Sequence, residues 1–168
     1  MASFMKTGEH ALRALIPCVT VRNTIMDTPP ALLLRIIVVE DNPVDVYLIR
    51  WVLTAHALPH YLHIIDNADQ AMHYLDGLAQ QDRRMSPTLM LLDLNLPQRD
   101  GRELLQRVRS LPEGADMQVV IVTGSNNPAD RRETLEMGAD AYFVKPSHLN
   151  EFMQLGNLIK QLAFDYPK

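Results

Sequence analysis

Four short apolar runs, each closed by a polar or charged residue, constrain this chain more than any other feature. Ile36-Ile37-Val38-Val39 ends in Glu40-Asp41 and Leu89-Met90-Leu91-Leu92 ends in Asp93. Val119-Val120-Ile121-Val122 ends in Thr123, and Ala141-Tyr142-Phe143-Val144 ends in Lys145-Pro146. Runs of this length without in–out alternation suit strands of a parallel sheet covered on both faces. In such a sheet the C-terminal ends of the strands lie side by side. Three carboxylates, a hydroxyl and an ammonium are therefore expected at one edge.

The segments between the runs argue for the parallel arrangement. Asn42 is a natural helix cap and Pro43 suits the first helical position. Val44, Leu48, Trp51, Val52 and Ala55 then recur at helical spacing. Tyr61 to Ile65 reads as a further strand, and Ala68 to Leu78 as a helix ending near Gly77. Gly101 to Leu111, Pro128 to Met137 and a last and longest segment, His148 to Phe164, are also helical in pattern. Strands alternating with helices of this length indicate βαβ units. The expected fold is α/β, a doubly wound parallel sheet of five strands built from five β–α pairs, over residues 33–168. Such open sheets bind ligands outside the carboxyl ends of their strands.

Composition fits one ordinary domain. The chain has 168 residues, of which 47% are hydrophobic and 21% charged, enough to bury a core. A net charge of −4 without a basic cluster gives no nucleic-acid footprint. No apolar stretch approaches the roughly 20 residues of a membrane span. The single cysteine, Cys18, leaves no internal disulfide and suits a reducing cytoplasm. Residues 1–32 stand outside the strand–helix pattern. Arg13 and Pro17 interrupt the apolar stretch that a signal peptide would need. This segment is expected to be a flexible extension, with Met26 as an alternative start.

Carboxylates brought as close as Glu40, Asp41 and Asp93 cannot all stay ionised without a cation. A hard divalent ion such as Mg²⁺, with oxygen ligands, relieves the conflict. Lys145 adds a positive charge that a simple metal site does not require, and Thr123 adds a neutral donor. Together they meet the needs of phosphoryl transfer, which are positioning and charge neutralisation. Asp93 is then the expected nucleophile.

The patterns V-E-D-N-P, D-L-N-L-P-Q-R-D-G, V-T-G-S and Y-F-V-K-P resemble the receiver domain of two-component response regulators. The resemblance covers about residues 33–165. Thr123 lies 30 residues after Asp93 and Lys145 lies 52 after it, as in receivers. The resemblance implies Asp93 as phosphoacceptor, supplied by a histidine kinase or a phosphotransfer protein. It implies Mg²⁺ on Asp41 and Asp93, with Glu40 acting through water and Asn95 through its backbone carbonyl. Thr123 would bond the phosphoryl group, Lys145 would pair with it, and Tyr142 would be the aromatic switch. Asn95 and Ser125 would flank the path of the attacking water. Pro146 stands where many receivers carry a cis proline. The early end of the chain and the N-P-V-D segment resemble the stand-alone regulators that partner bacterial phytochromes.

Two other readings stay open here. A phosphatase of the aspartyl-phosphate type also starts from an Asp at a strand end, but usually carries D-x-D where this chain has Asn95. A phosphorylation-independent scaffold would usually have lost the acceptor, the acidic pair or the lysine, and this chain keeps them all. His60 and His63 lack partners at metal-ligand spacing. Asp100-Gly101 reads as turn chemistry, and Arg131, Arg132, Glu133 and Glu136 as a solvated helix face. In the last helix, Phe152, Leu155, Leu158, Ile159 and Leu162 share an arc that would pack on the sheet. Met153 and Phe164 fall outside it, which suggests a homodimer through the fourth helix, fifth strand and last helix.

Overall fold

Each apolar run folds as a strand because its side chains can be buried on both faces of a sheet. In the computed structural model, which describes residues 33–78 and 88–164, the strands are β1 (Leu34–Val39), β2 (His60–Ile65), β3 (Leu89–Leu92), β4 (Gln118–Thr123) and β5 (Ala141–Val144). All pair in parallel in the order β2-β1-β3-β4-β5. The expectations for residues 1–32 fall outside the described residues. Between the strands run α1 (Pro43–Ala55), α2 (Ala68–Asp76), α3 (Gly101–Ser110) and α4 (Pro128–Glu136). After β5 come α5 (Leu149–Phe152) and α6 (Gln154–Phe164).

Alternate residues of the central strands feed two cores. Ile37, Val39, Met90, Leu92, Val119 and Ile121 pack beneath Ala71 and Leu75 of α2 and Leu104 and Val108 of α3. Ile36, Val38, Leu91, Val120 and Val122 pack beneath Ile49 and Val52 of α1 and Leu155 and Ile159 of α6. Each such aliphatic side chain contributes about 1.5–3 kcal/mol when fully buried. Strand β2 pairs only with β1 among the described residues, and its burial alternates where β1 and β3 are buried almost throughout.

Helix starts are set by asparagine and aspartate. The side chain of Asn42 accepts from the Val44 N–H, Asn67 from Asp69 and Gln70, Asp100 from Arg102, and Asn127 from Ala129. Each satisfies backbone donors that the first turn leaves open. The far end of the sheet is tied by Arg109. Its guanidinium donates to the carbonyls of Gly138, Gly114 and Met117 and to Asp140.

Three expectations about the C-terminal part need correction. The final helical segment is not continuous, and the 13-residue α1 is the longest described helix. The break falls at Met153, whose carbonyl is bonded by the His56 ring at 3.0 Å. A side chain inserted at a helix carbonyl in this way interrupts the ladder. Gly156 makes room for it, since a Cβ there would lie 2.1 Å from the His56 ring. Met153 is accordingly half-buried against the core, not outside it, whereas Phe164 is 50% exposed. Finally, there are no cis peptide bonds among the described residues, so Lys145–Pro146 is trans.

Gly101 opens α3 directly behind the acidic edge. A Cβ on it would meet the Asp93 carbonyl oxygen at 2.2 Å and Leu94 Cα at 2.8 Å, both backbone. Gly101→Ala should therefore cost about 2–3 kcal/mol, as overpacking does. Thermal unfolding should drop by roughly 10 °C, and an unchanged midpoint would contradict this packing.

Candidate functional site

The strand ends deliver their polar groups to one edge. Glu40 follows β1, Asp93 follows β3, Thr123 ends β4 and Lys145 follows β5. Glu40, Asp93 and Thr123 are buried, and Asp41 is exposed at the mouth. One oxygen from each of Glu40, Asp41 and Asp93 lies within 4.8 Å of the others.

Lys145 organises the cluster. Its Nζ donates to Asp93 Oδ2 at 2.6 Å, Glu40 Oε2 at 2.7 Å and Asp45 Oδ2 at 2.9 Å. Burial pulls the ammonium down, but the hydrogen bonds to Asp93, Glu40 and Asp45 outweigh it and hold its pKa above the ordinary lysine value. Glu40 moves the other way from most paired carboxylates. Burial pushes it up to about 7, the charge of Asp93 adds to the rise, and Lys145 opposes it.

The remaining Asp93 oxygen, Oδ1, accepts the Asn95 N–H at 3.0 Å. The Asn95 amide in turn donates to Thr123 Oγ at 3.1 Å. Ser125 N–H donates to the same hydroxyl at 3.3 Å. Both contacts use lone pairs of Thr123, so its own hydrogen remains to be donated. Ser125 Oγ is drawn to Asp130 on α4 at 2.5 Å. Tyr142 lies inside the fold, with its hydroxyl donating to the Ser125 carbonyl at 3.0 Å.

All the strand-end residues singled out in the sequence are thus neighbours of one edge. Asp45 was missed. It sits in the first turn of α1, where an acidic residue is ordinary company for the positive end of a helix, so its spacing carries no special signal. His60 and His63 stand apart from the cluster. His60 bonds the Leu58 carbonyl at 2.7 Å, and the His63 ring lies 4.9 Å from that of Tyr74.

Residues 36–156 match the response regulator receiver domain. The chain belongs to that family. The family's general function is to accept a phosphoryl group in two-component signalling, and the flavodoxin-like arrangement of this receiver is the family's fold. The response regulator Rcp1 of Synechocystis sp. is 32% identical over 120 residues, 71% of this chain and 82% of Rcp1. A crystal structure of the phosphorylated cyanobacterial phytochrome response regulator RcpA is 31% identical, with a TM-score of 0.70 over 80% of this receiver and 97% of that chain. The Mn(2+)-bound form of Rcp1 is 29% identical, with a TM-score of 0.65 over 80% of this chain and 96% of the other. No helix among the described residues is long and apolar enough to cross a membrane.

Proposed function

We propose that this receiver takes a phosphoryl group onto Asp93 from a histidine kinase or a phosphotransfer protein, with Mg²⁺ as cofactor. The observation that carries the reading is the buried Asp93 carboxylate, bonded by Lys145 at 2.6 Å and linked through Asn95 to Thr123. In the reaction a carboxylate oxygen of Asp93 forms a bond to phosphorus. The bond from phosphorus to the donor breaks, and the donor leaves with the electron pair. Lys145 and the Thr123 hydroxyl then face the new phosphoryl oxygens, one as a charge and one as a neutral donor. The role is that of an acceptor, with at most slow self-catalysed gain and loss of the group.

The acidic edge fits a hard divalent ion. It offers carboxylate oxygens within 4.8 Å of one another and an exposed carboxylate, Asp41, at the entrance. Asp41 and Asp93 would hold Mg²⁺ directly, together with the Asn95 backbone carbonyl. Glu40 would act through water, since its Oε1 already accepts the Asn42 N–H and its Oε2 accepts Lys145. When bound, the ion neutralises charge on the phosphoryl oxygens. Burial pushes Glu40 up to about 7, and a cation beside it would favour its ionised form. Mg²⁺ affinity should therefore fall as pH drops below about 7 and level off above it. Trp51 on α1 offers a fluorescence readout, and a flat profile would contradict this coupling.

The two-component partner would dock beside the acidic pair. Val44, Tyr47 and Trp51 form an exposed stripe on α1 at helical spacing. The similarity to Rcp1 and RcpA favours a phytochrome-type kinase as the donor. Incubation with Mg²⁺ and acetyl phosphate tests the whole reading. Intact mass should reveal one adduct that is lost slowly, whereas rapid release of phosphate would support a phosphatase and no reaction would support a scaffold.

Output would run from Thr123 to α4. A hydroxyl drawn toward the phosphoryl group would disturb its bond to Ser125, and with it the contacts of Ser125 to Asp130 and Tyr142. Tyr142, bonded to the Ser125 carbonyl, would shift with this loop as the second part of the switch. Leu135, 40% exposed, borders a groove of about 500 Å³ on α4 with Pro128, Arg131 and Arg132. With Phe164, it makes α4, β5 and α6 the proposed homodimer face. Sedimentation should detect dimers with beryllofluoride and Mg²⁺, and Leu135→Glu should remove them. Monomers in every state would assign this face to another partner.

A further inference from the structure

We propose that Asp45 is a positioning residue that holds Lys145 in line with the acceptor. The proposal rests on the reading of Asp93 as phosphoacceptor and extends it to a residue on a helix. An ammonium has three N–H donors and no acceptor. Here all three are engaged, by Asp93 at 2.6 Å, Glu40 at 2.7 Å and Asp45 at 2.9 Å. Lysine carries a flexible four-carbon stem and loses about 2 kcal/mol of rotamer entropy when fixed. One anchor at the end of β1 would leave Nζ free to rotate about it. The second anchor, from the first turn of α1, fixes the remaining N–H on Asp93 Oδ2.

Asp45 is itself braced. Asn42 Nδ2 donates to the same Oδ2 at 3.1 Å, while the Asn42 carbonyl oxygen and side chain cap α1. The Asp45 and Lys145 side chains are only 17% and 13% exposed, so the pair is little screened by solvent. When a phosphoryl group forms its bond to Asp93, that carboxylate loses its charge and the phosphoryl oxygens gain it. The N–H that had served Asp93 turns to the new oxygens. Glu40 and Asp45 keep the other two, so the ammonium is delivered without leaving its anchors. Asp45 is not among the three carboxylates grouped as metal ligands, which separates its role from cation binding.

The test is the rate of phosphorylation of the full chain by acetyl phosphate at saturating Mg²⁺. Asp45→Ala should lower it by roughly tenfold, less than the hundredfold that a displaced group can cost. Asp45→Asn, which keeps an acceptor but not the charge, should fall between. Mg²⁺ affinity is measured in both variants, so that rates are compared with the cation site equally filled. In a Lys145→Ala background, Asp45→Ala should have no further effect. An unchanged or faster rate in Asp45→Ala would overturn the proposal, since Asp45 would then be idle or compete for the ammonium. An equal loss in the Lys145→Ala background would also overturn it. Failure of the wild type to accept the group would instead refute the acceptor reading.

Discussion

Asp93→Asn should abolish the phosphoryl adduct from acetyl phosphate and from a phosphohistidine donor, while leaving the fold intact. The amide cannot serve as the nucleophile, so the loss should be complete by intact mass. The fold should survive because the amide carbonyl can still accept from the Asn95 N–H, and Lys145 keeps Glu40 and Asp45. The substitution also removes a negative charge that helps to raise Glu40. Glu40 should therefore titrate below about 7 in the variant, and the midpoint of unfolding near neutral pH should stay level or rise. A raised carboxyl stabilises the native state below its unfolded pKa and loses that contribution as pH climbs through its folded one. Lowering the folded value shrinks this loss. A variant that still accepts label would sink the assignment of Asp93, and one that fails to fold would sink the account of the cluster.

What could be read from the sequence was whatever depends on strand ends. Apolar runs of four residues without alternation, separated by helical patterns, suit a covered parallel sheet, and that arrangement fixes which ends meet. Glu40, Asp93, Thr123 and Lys145 were therefore legible, and β2 was legible as a further strand. Helix starts were legible at Asn42-Pro43, where the chemistry is local. The rest depends on contacts between distant elements. The break at Met153 comes from His56, 97 residues away, and no pattern inside the helix announces it. The same insertion turns Met153 inward. Asp45 was hidden for another reason, since an acid in the first turn of a helix is commonplace, and only the sheet order brings Lys145 onto it. The bond from Tyr142 to the Ser125 carbonyl was equally illegible, because it joins β5 to the loop after β4.

Lys145→Met should destabilise the protein in a manner that depends steeply on pH. The ammonium faces three carboxylates, and removing one partner of a buried ion pair costs about 3–5 kcal/mol because charges are left uncompensated. The size of the loss depends on how many of those carboxylates stay ionised. Lys145 lowers the pKa of Glu40, which stands at about 7 even so. Without the lysine, Glu40 must rise further and remain protonated to higher pH. A carboxyl raised in the folded state favours folding at low pH and loses that advantage as pH increases. The wild-type ammonium has its own pKa raised, so it stays charged across the acid and neutral range and adds no pH dependence of its own. The gap in unfolding midpoint between wild type and variant should therefore be small near pH 5 and widen through pH 8, by roughly 10 °C or more. Mg²⁺ should narrow the gap, since a cation at Asp41 and Asp93 supplies part of the missing charge, whereas NaCl at equal ionic strength should do less. A gap that is constant with pH would mean that Lys145 contributes packing alone, and that the carboxylates do not feel its charge.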